Sequence, residues 1–339
     1  MKRILVLCGG QSPEHRISVR SCKKILKAVD RANYSITLIG ITQTGRWELL
    51  DESGLRDEVS ANGRPVALRP GYADGLWCHG ESLGYFDAAF PVLHGPNGED
   101  GTIQGVLRML SIPFVGSGVL SSSVCMDKDV AKRLLREAHI KTARWITLRS
   151  FNDLTYKEAR NKLGSIVYVK SANMGSSVGV NRVANEETWE SAVNEAFKYD
   201  NKVLVEESVI GREVECAILG NKNPKATGVG EILSEGFYSY NEKYADNSQA
   251  AIIIPAKINP KYLPLLKETA IKVYKTLECQ GMSRVDMFLT KEGEIIVNEV
   301  NTIPGFTSIS MYPKLWKQEG LGYSDLIDQL INLAIERGV

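Results

Sequence analysis

Apolar positions along the chain fall into short unbroken runs and longer runs at helical spacing. Ile4–Cys8 is continuously apolar, as in a strand covered on both faces. After Gly9-Gly10, the residues Ile17, Cys22, Ile25, Leu26 and Val29 recur at the spacing of one helix face, and Ser12-Pro13 stands where such a helix opens. Tyr34–Ile41 is the next apolar run. Strand, helix and strand at this spacing predict a βαβ unit with parallel strands. Ala88–Leu93 and Ile112–Val115 extend it, with a helix predicted over GTIQGVLRML between them. The polar stretch 43–80 reads as a hairpin or loop insertion, and residues 1–123 as one α/β domain.

A charged amphipathic helix over 127–138 opens a second unit, 124–206. It continues with Trp145–Leu148, a helix near 155–163, Ile166–Lys170, a Gly/Ser loop at 171–180, Val178–Val183, a helix over Glu186–Phe197 and a strand over Lys202–Glu206. The alternation is less regular here, which predicts an antiparallel α+β unit. A third unit, 207–339, has strand patterns at Glu213–Leu219 and Thr227–Leu233, a helix over Leu263–Leu277, and a hairpin of Arg284–Leu289 with Ile295–Val300. Residues 234–250 fit neither period, and a loop that long usually carries function or is disordered.

Composition narrows the class. A chain of 339 residues exceeds one ordinary core, since domains run to about 100–150 residues. Hydrophobic content of 43% and charged content of 24% are those of a soluble globular protein, and a net charge of +1 gives no electrostatic reason to expect nucleic acid or membrane. The six cysteines are scattered with no CxxC pair, which predicts reduced thiols and a cytoplasmic protein. The N-terminal apolar run is too short for a signal segment and ends in Gly-Gly.

The final hairpin carries the chemistry. A two-residue or a four-residue loop between its strands puts Asp286 directly across from Glu299, whereas a three-residue loop slips the pairing by one. Glu299 and Asn301, two apart, share a face, and Asn298 points to the other. Like charges placed opposite each other destabilise a sheet; a cation between them reverses the sign, and these hard oxygen donors suit Mg²⁺ completed by water and phosphate. The alternative is an exposed face of solvated acids. Arg284, on the face of Asp286, has two readings: a salt bridge, or a stabiliser of an oxyanion beside the metal. Pro304-Gly305 predicts a type II turn. KSANMGSSVGV, 170–180, joins Lys170 to a glycine-rich loop whose N–H groups suit a phosphate, although a mobile hairpin tip has the same composition. Lys128 is a second cation, or a solvated helix lysine. Gly116 and Gly118 lack the third glycine of a dinucleotide fingerprint.

The segments GGQSPEHRIS, FPVLHGPNGEDG, CMDKDVAK, GSSVGV, NEKY, SRVDMF and NEVNTIPGFTSISMYP stand in this order from near the N-terminus to past Pro313. Together they resemble the D-alanine:D-alanine ligases of the ATP-grasp superfamily. The resemblance implies a three-domain ATP-grasp architecture, α/β and α+β, with an N-terminal parallel-sheet domain. It implies ATP-dependent ligation of two D-alanine molecules through an acyl phosphate, for peptidoglycan precursors, by a cytoplasmic homodimer with no nucleic-acid or membrane partner. By position, Lys128, Lys170 and Lys243 are expected at ATP, with Glu206 at the adenine and Glu213 at the ribose. Asp286, Glu299 and Asn301 are expected to hold a pair of Mg²⁺ ions, for which Mn²⁺ can substitute. Glu14, Ser176 and Tyr244 are expected to orient the first D-alanine, with His94 nearby; Arg284 and the Gly305 N–H to form an oxyanion hole; and Ser310 to bind the second carboxylate. The hydroxyl of Tyr244 points to an amine as second nucleophile, rather than the hydroxyl of D-lactate. Ser171 departs from the family, many of whose members carry proline there. The competing expectations are a D-alanine:D-lactate or D-alanine:D-serine ligase, a non-catalytic ATP-binding module, and a dinucleotide oxidoreductase, which leaves the carboxylate hairpin unexplained.

Overall fold

The computed structural model describes residues 1–175, 178–233 and 251–339. The first sheet contains β1 (Lys2–Gly9), β2 (Tyr34–Ile41), β3 (Trp47–Leu50), β4 (Arg64–Leu68), β5 (Leu76–Cys78), β6 (Glu81–Ser82) and β7 (Ala88–Val92), in the order β6-β5-β4-β3-β2-β1-β7. β1 pairs in parallel with β2 and β7, as the unbroken apolar runs require, and Ile4 to Cys8 are all buried. The polar stretch after β2 continues the sheet as an antiparallel meander. Helix α1 (His15–Ala28) begins three residues past Ser12, and α2 (Thr102–Met109) covers the sheet through Ile103 and Leu107.

Helices α3 (Val119–Met126) and α4 (Lys128–Glu137) lead into a four-stranded antiparallel sheet. It comprises β8 (Trp145–Leu148), β9 (Val167–Ser171), β10 (Asn181–Val183) and β11 (Val203–Glu207), with α5 (Tyr156–Leu163) and α6 (Trp189–Phe197). Period-two alternation gives β9 and β11 two different faces. Val167, Val169, Val203 and Val205 join the core under α5 and α6, while Lys170 and Glu206 point the other way.

The third sheet holds β12 (Arg212–Leu219), β13 (Lys225–Leu233) and β14 (Ala251–Ile253); after α7 (Leu263–Thr276) it adds β15 (Met282–Leu289) and β16 (Ile295–Asn301). Its order is β14-β13-β12-β15-β16. Val214, Cys216, Val285, Met287 and Val297 pack on Leu266, Ala270 and Val273 of α7. The chain closes with α8 (Met311–Gln318) and α9 (Tyr323–Arg337). These helices tie the third sheet to the first: Phe90, Phe306, Tyr312, Trp316 and Leu330 share one core with Ile4 and Val6. Phe90 and Phe306 meet edge-on at 5.8 Å between ring centres, and burying each such ring is worth about 1.5–3 kcal/mol. The central sheet has a separate core.

Candidate active site

The carboxylate face of the third sheet is set by the register of its last two strands. Asp286 pairs directly with Glu299, and Arg284 with Asn301. The expected loop length is not the one present. Thr290 N–H donates to Glu294 O at 3.0 Å, and Gly293 takes φ +86°, so Lys291-Glu292-Gly293 form a three-residue loop with glycine in the left-handed position. That loop pairs Leu289 with Ile295 and Met287 with Val297, the slipped register, and a β-bulge between Asp286 and Met287 then restores the pairing. Asn298 is the extra residue. It does not simply face away, as strict alternation predicted. It absorbs one position, so Val297 stays in the core while Glu299 returns to the open face.

Across β12, Glu215 pairs with Asp286 and Ala217 with Arg284, which extends the carboxylates into a row over three strands. Arg284 takes the salt-bridge reading: it donates to Asp286 Oδ1 at 2.7 Å and Oδ2 at 2.6 Å, and its Nε lies 3.0 Å from Glu215 Oε2. Burial alone would lower its pKa, but Asp286, Glu215 and Glu299 raise it well above the ordinary value, so the guanidinium stays charged. Asn301 Oδ1 accepts from Ile303 N–H at 3.1 Å. Among the described residues no group of three or more His, Cys, Asp or Glu side chains is arranged as a metal cage. The donors present, two cross-strand carboxylates and an amide oxygen, match the few protein ligands that Mg²⁺ takes when phosphates and water complete its shell.

The cations come from the central unit. Asp127 caps α4 by accepting from Val130 N–H at 3.1 Å, and it also accepts from the Lys202 ammonium. This fixes the first turn. Lys128 in that turn is nearly buried, donates to Met174 O, and stands 3.9 Å from Glu299 Oε2; it is not a solvated surface lysine. Burial lowers its pKa, opposed by Glu299. On β9 and β11, Lys170 and Glu206 sit diagonally on one face and pair at 2.8 Å. Lys132, one turn beyond Lys128, reaches Glu206 Oε1 at 3.2 Å. Burial pushes Glu206 upward, and the two lysines more than reverse that, leaving its pKa lowered. Glu213 pairs across β15 with Phe288, on the carboxylate side of the cleft.

The first unit closes the other side. His94 is buried; its Nδ1 lies 3.0 Å from Ile303 O and its Nε2 3.4 Å from Ser21 Oγ. Desolvation lowers its pKa, so the ring is neutral near pH 7, with Nδ1–H donating to the carbonyl. Ser21 Oγ accepts from Phe306 N–H at 3.2 Å, so one histidine and one serine fasten the 303–306 segment. The type II turn at Pro304-Gly305 is absent: Gly305 is not among the left-handed glycines. Glycine is required there for space, since a Cβ would lie 2.7 Å from Ser310 Oγ. Ser310 Oγ in turn accepts from Thr307 N–H at 3.0 Å. Glu14, buried at the start of α1, lies close to two glycines: a Cβ on Gly95 would come within 2.9 Å of its Oε2, and one on Gly175 within 3.4 Å. The Gly/Ser loop thus approaches Glu14. Ser176, Lys243 and Tyr244 lie outside the described residues.

Sequence reading missed three members of this cluster. Lys132 has a detectable signal, its four-residue spacing from Lys128. Glu215 has none, because its alignment with Asp286 exists only across strands. Glu99 lies inside the HGPNGEDG segment, where its Oε2 accepts from Gly95 N–H at 2.6 Å.

Comparison with known proteins agrees with this geometry. The profile described as D-ala D-ala ligase N-terminus matches residues 3–117, and that of the D-ala D-ala ligase C-terminus residues 134–332. D-alanine--D-alanine ligase A of Escherichia coli K12 is 46% identical, over 99% of this chain and 96% of the relative. Among solved structures, the D-alanine-D-alanine ligase from Coxiella burnetii superimposes with a TM-score of 0.86 at 39% identity, over 99% of this chain and 96% of that one. The VanG D-Ala:D-Ser ligase from Enterococcus faecalis superimposes with a TM-score of 0.89 at 39% identity, over 98% and 99%.

Proposed function

The chain belongs to the D-alanine–D-alanine ligase family, and from that premise we propose that it joins two D-alanine molecules at the expense of ATP, in three units spanning 1–123, 124–206 and 207–339. The observation that carries this reading is the meeting of two charged faces. The lysines of the central sheet and α4 confront the carboxylate row of the third sheet, and Lys128 and Glu299 stand 3.9 Å apart where they approach. One face suits the triphosphate; the other suits the cations that accompany it.

The first substrate carboxylate attacks the γ-phosphorus of ATP, ADP leaves, and an acyl phosphate forms. The amine of the second D-alanine then attacks the acyl carbon, phosphate leaves and the nitrogen gives up a proton. Two anions must meet in the first step, so the site must lower their repulsion. Lys128 and Lys170 neutralise phosphate oxygens, assisted by Lys243. Asp286, Glu299 and Asn301 hold Mg²⁺, which when bound neutralises charge on the triphosphate. Glu206 and Glu213 receive the adenine and ribose. Glu14, Ser176 and Tyr244 orient the first D-alanine beside His94, whose neutral ring fastens the 303–306 segment. In the second step Arg284 and the Gly305 N–H face the developing oxyanion, and Ser310 takes the second carboxylate. Arg284 enters this role already charged and fixed by Glu215 and Asp286. The same reading makes the protein a cytoplasmic homodimer supplying a peptidoglycan precursor.

The decisive assay is phosphate release from ATP on adding D-alanine alone, then with D-serine or D-lactate as competitor. The expected result is release with D-alanine alone and a D-alanyl-D-alanine product. The likeness to a D-Ala:D-Ser ligase supports one alternative, and release that requires D-serine would establish it. No release with any of the three would leave a nucleotide-binding module.

A further inference from the structure

The structure places two lysines on one buried carboxylate, and only one of them has a task in the reading above. We propose that Lys132 is a positioning residue for nucleotide recognition, a resident counter-ion that keeps Glu206 charged and aimed once Lys170 turns to the triphosphate. The inference rests on the reading of Glu206 as the carboxylate that meets adenine.

Lys132 is 2% exposed, and one partner besides Glu206 holds it: Ala143 O, which accepts from Nζ at 3.3 Å. Its ammonium also lies 5.6 Å from the centre of the Trp145 ring. That ring is anchored in turn, because Trp145 Nε1 donates to Asp129 Oδ1 at 3.0 Å. Lys132 is therefore fixed on the floor of the cleft. Lys170 lies at the entrance to the Gly/Ser loop, where a phosphate can draw it away. The two lysines divide the carboxylate between them: Lys132 faces Oε1 at 3.2 Å, and Lys170 faces Oε2 at 2.8 Å.

One cation neutralises one carboxylate, and each further buried charge costs several kcal/mol to desolvate. The surplus has a reason if Lys170 is shared. When the triphosphate recruits Lys170, Glu206 without Lys132 is left as an unpaired buried anion, which either weakens nucleotide binding or takes up a proton. With Lys132 in place Glu206 stays ionised, and the departing lysine vacates Oε2, the oxygen free to accept from an exocyclic amine. A purine bearing a carbonyl at that position would set oxygen against oxygen. Lys132 thereby contributes to preference for ATP over GTP without touching either.

The test compares KM for ATP and for GTP in the wild type, Lys132→Met, Lys132→Arg, Glu206→Gln and the double variant Lys132→Met/Glu206→Gln. Lys132→Met is expected to raise KM for ATP by about tenfold or more and to reduce the ATP-over-GTP preference by a similar factor, with KM for D-alanine unchanged. Lys132→Arg should restore the preference. The double variant should match Glu206→Gln, because the lysine acts through the carboxylate. A merely structural role would lower thermal stability and leave the nucleotide ratio alone. If Lys132→Met does not fold, Lys132→Gln takes its place: a lowered ATP-over-GTP preference supports the proposal, and a wild-type ratio overturns it. A wild-type ratio in folded Lys132→Met, with a changed ratio in Glu206→Gln, overturns the counter-ion alone. A wild-type ratio in Glu206→Gln overturns the adenine assignment beneath it.

Discussion

At Gly305 the absence of a side chain is a matter of space. A methyl group there would come within 2.7 Å of Ser310 Oγ, an oxygen that also accepts from Thr307 N–H. Gly305→Ala should push Ser310 aside and raise KM for the second D-alanine by about tenfold, since displacements of about 1 Å near reacting groups cost that much or more; steady-state kinetics with the second substrate varied reads this directly. Glu99 makes a different kind of prediction. Burial and the neighbouring Glu14 push its carboxyl up to about 8. An unfolded glutamate releases its proton near pH 4.3, whereas the folded protein holds this one to about 8. The folded state therefore binds more protons in between, and this group's contribution to stability falls as pH rises through that window. Glu99→Gln should gain about 1–3 kcal/mol relative to the wild type on going from pH 5 to pH 8, read from urea unfolding at both values.

One bulge decides which way a strand's chemistry faces. The loop Lys291-Glu292-Gly293 alone would turn Glu299 toward Met287 and α7, into a core of valines and leucines. Asn298 corrects this by one position. Deleting Asn298 should straighten the strand while leaving Val297 opposite Met287 and Glu299 opposite Asp286, so most of the ligation and stability should survive, and loss of ligation would show that the bulge does more than set the register. Asn298→Ala, which keeps the chain length, should retain the bulge and most of the activity. Denaturant unfolding and phosphate release on the two variants separate the bulge from its side chain. A similar economy operates in α4: one capped turn presents Lys128 to the cleft and, four residues on, Lys132 to its floor.

In the whole molecule the first and third units share one hydrophobic core, sealed by Phe306, Tyr312 and α9, while the central sheet packs on its own. The reacting groups are thereby divided between a two-unit body carrying carboxylates, arginine and the 303–310 segment, and the central sheet carrying Lys170 and Glu206, while α4, whose Leu135 packs in the core of the third sheet, presents Lys128 between them. Since each has its core without the metal, removing the cation should leave the fold intact. Chelation with EDTA should eliminate phosphate release, leave the unfolding temperature of the nucleotide-free protein unchanged within about 1 °C, and be reversed by Mg²⁺ or Mn²⁺. Loss of folded protein on chelation would contradict the assignment of Asp286, Glu299 and Asn301 as a site completed by substrate.

The residues themselves determined the alternating faces of β9, β11 and β15, and the shared face of Glu299 and Asn301 on β16, because side-chain direction follows from period two. They also determined the parallel core of the first sheet, since continuous apolar runs have no exposed face to offer. What the sequence left open was whatever depends on the distance between strands and units. A loop of three residues and a bulge give the same cross-strand pair as a loop of two or four, so the pattern could not choose between them. The space at Gly305 is set by Ser310, which lies past a bend in the chain; the glycine was legible and its reason was not. Lys132 read as one more charge on an amphipathic helix, and only the packing of α4 against the central sheet put it beside Glu206. Local propensity fixes faces; tertiary packing fixes partners, because a buried charge is explained only by the opposite charge brought to it.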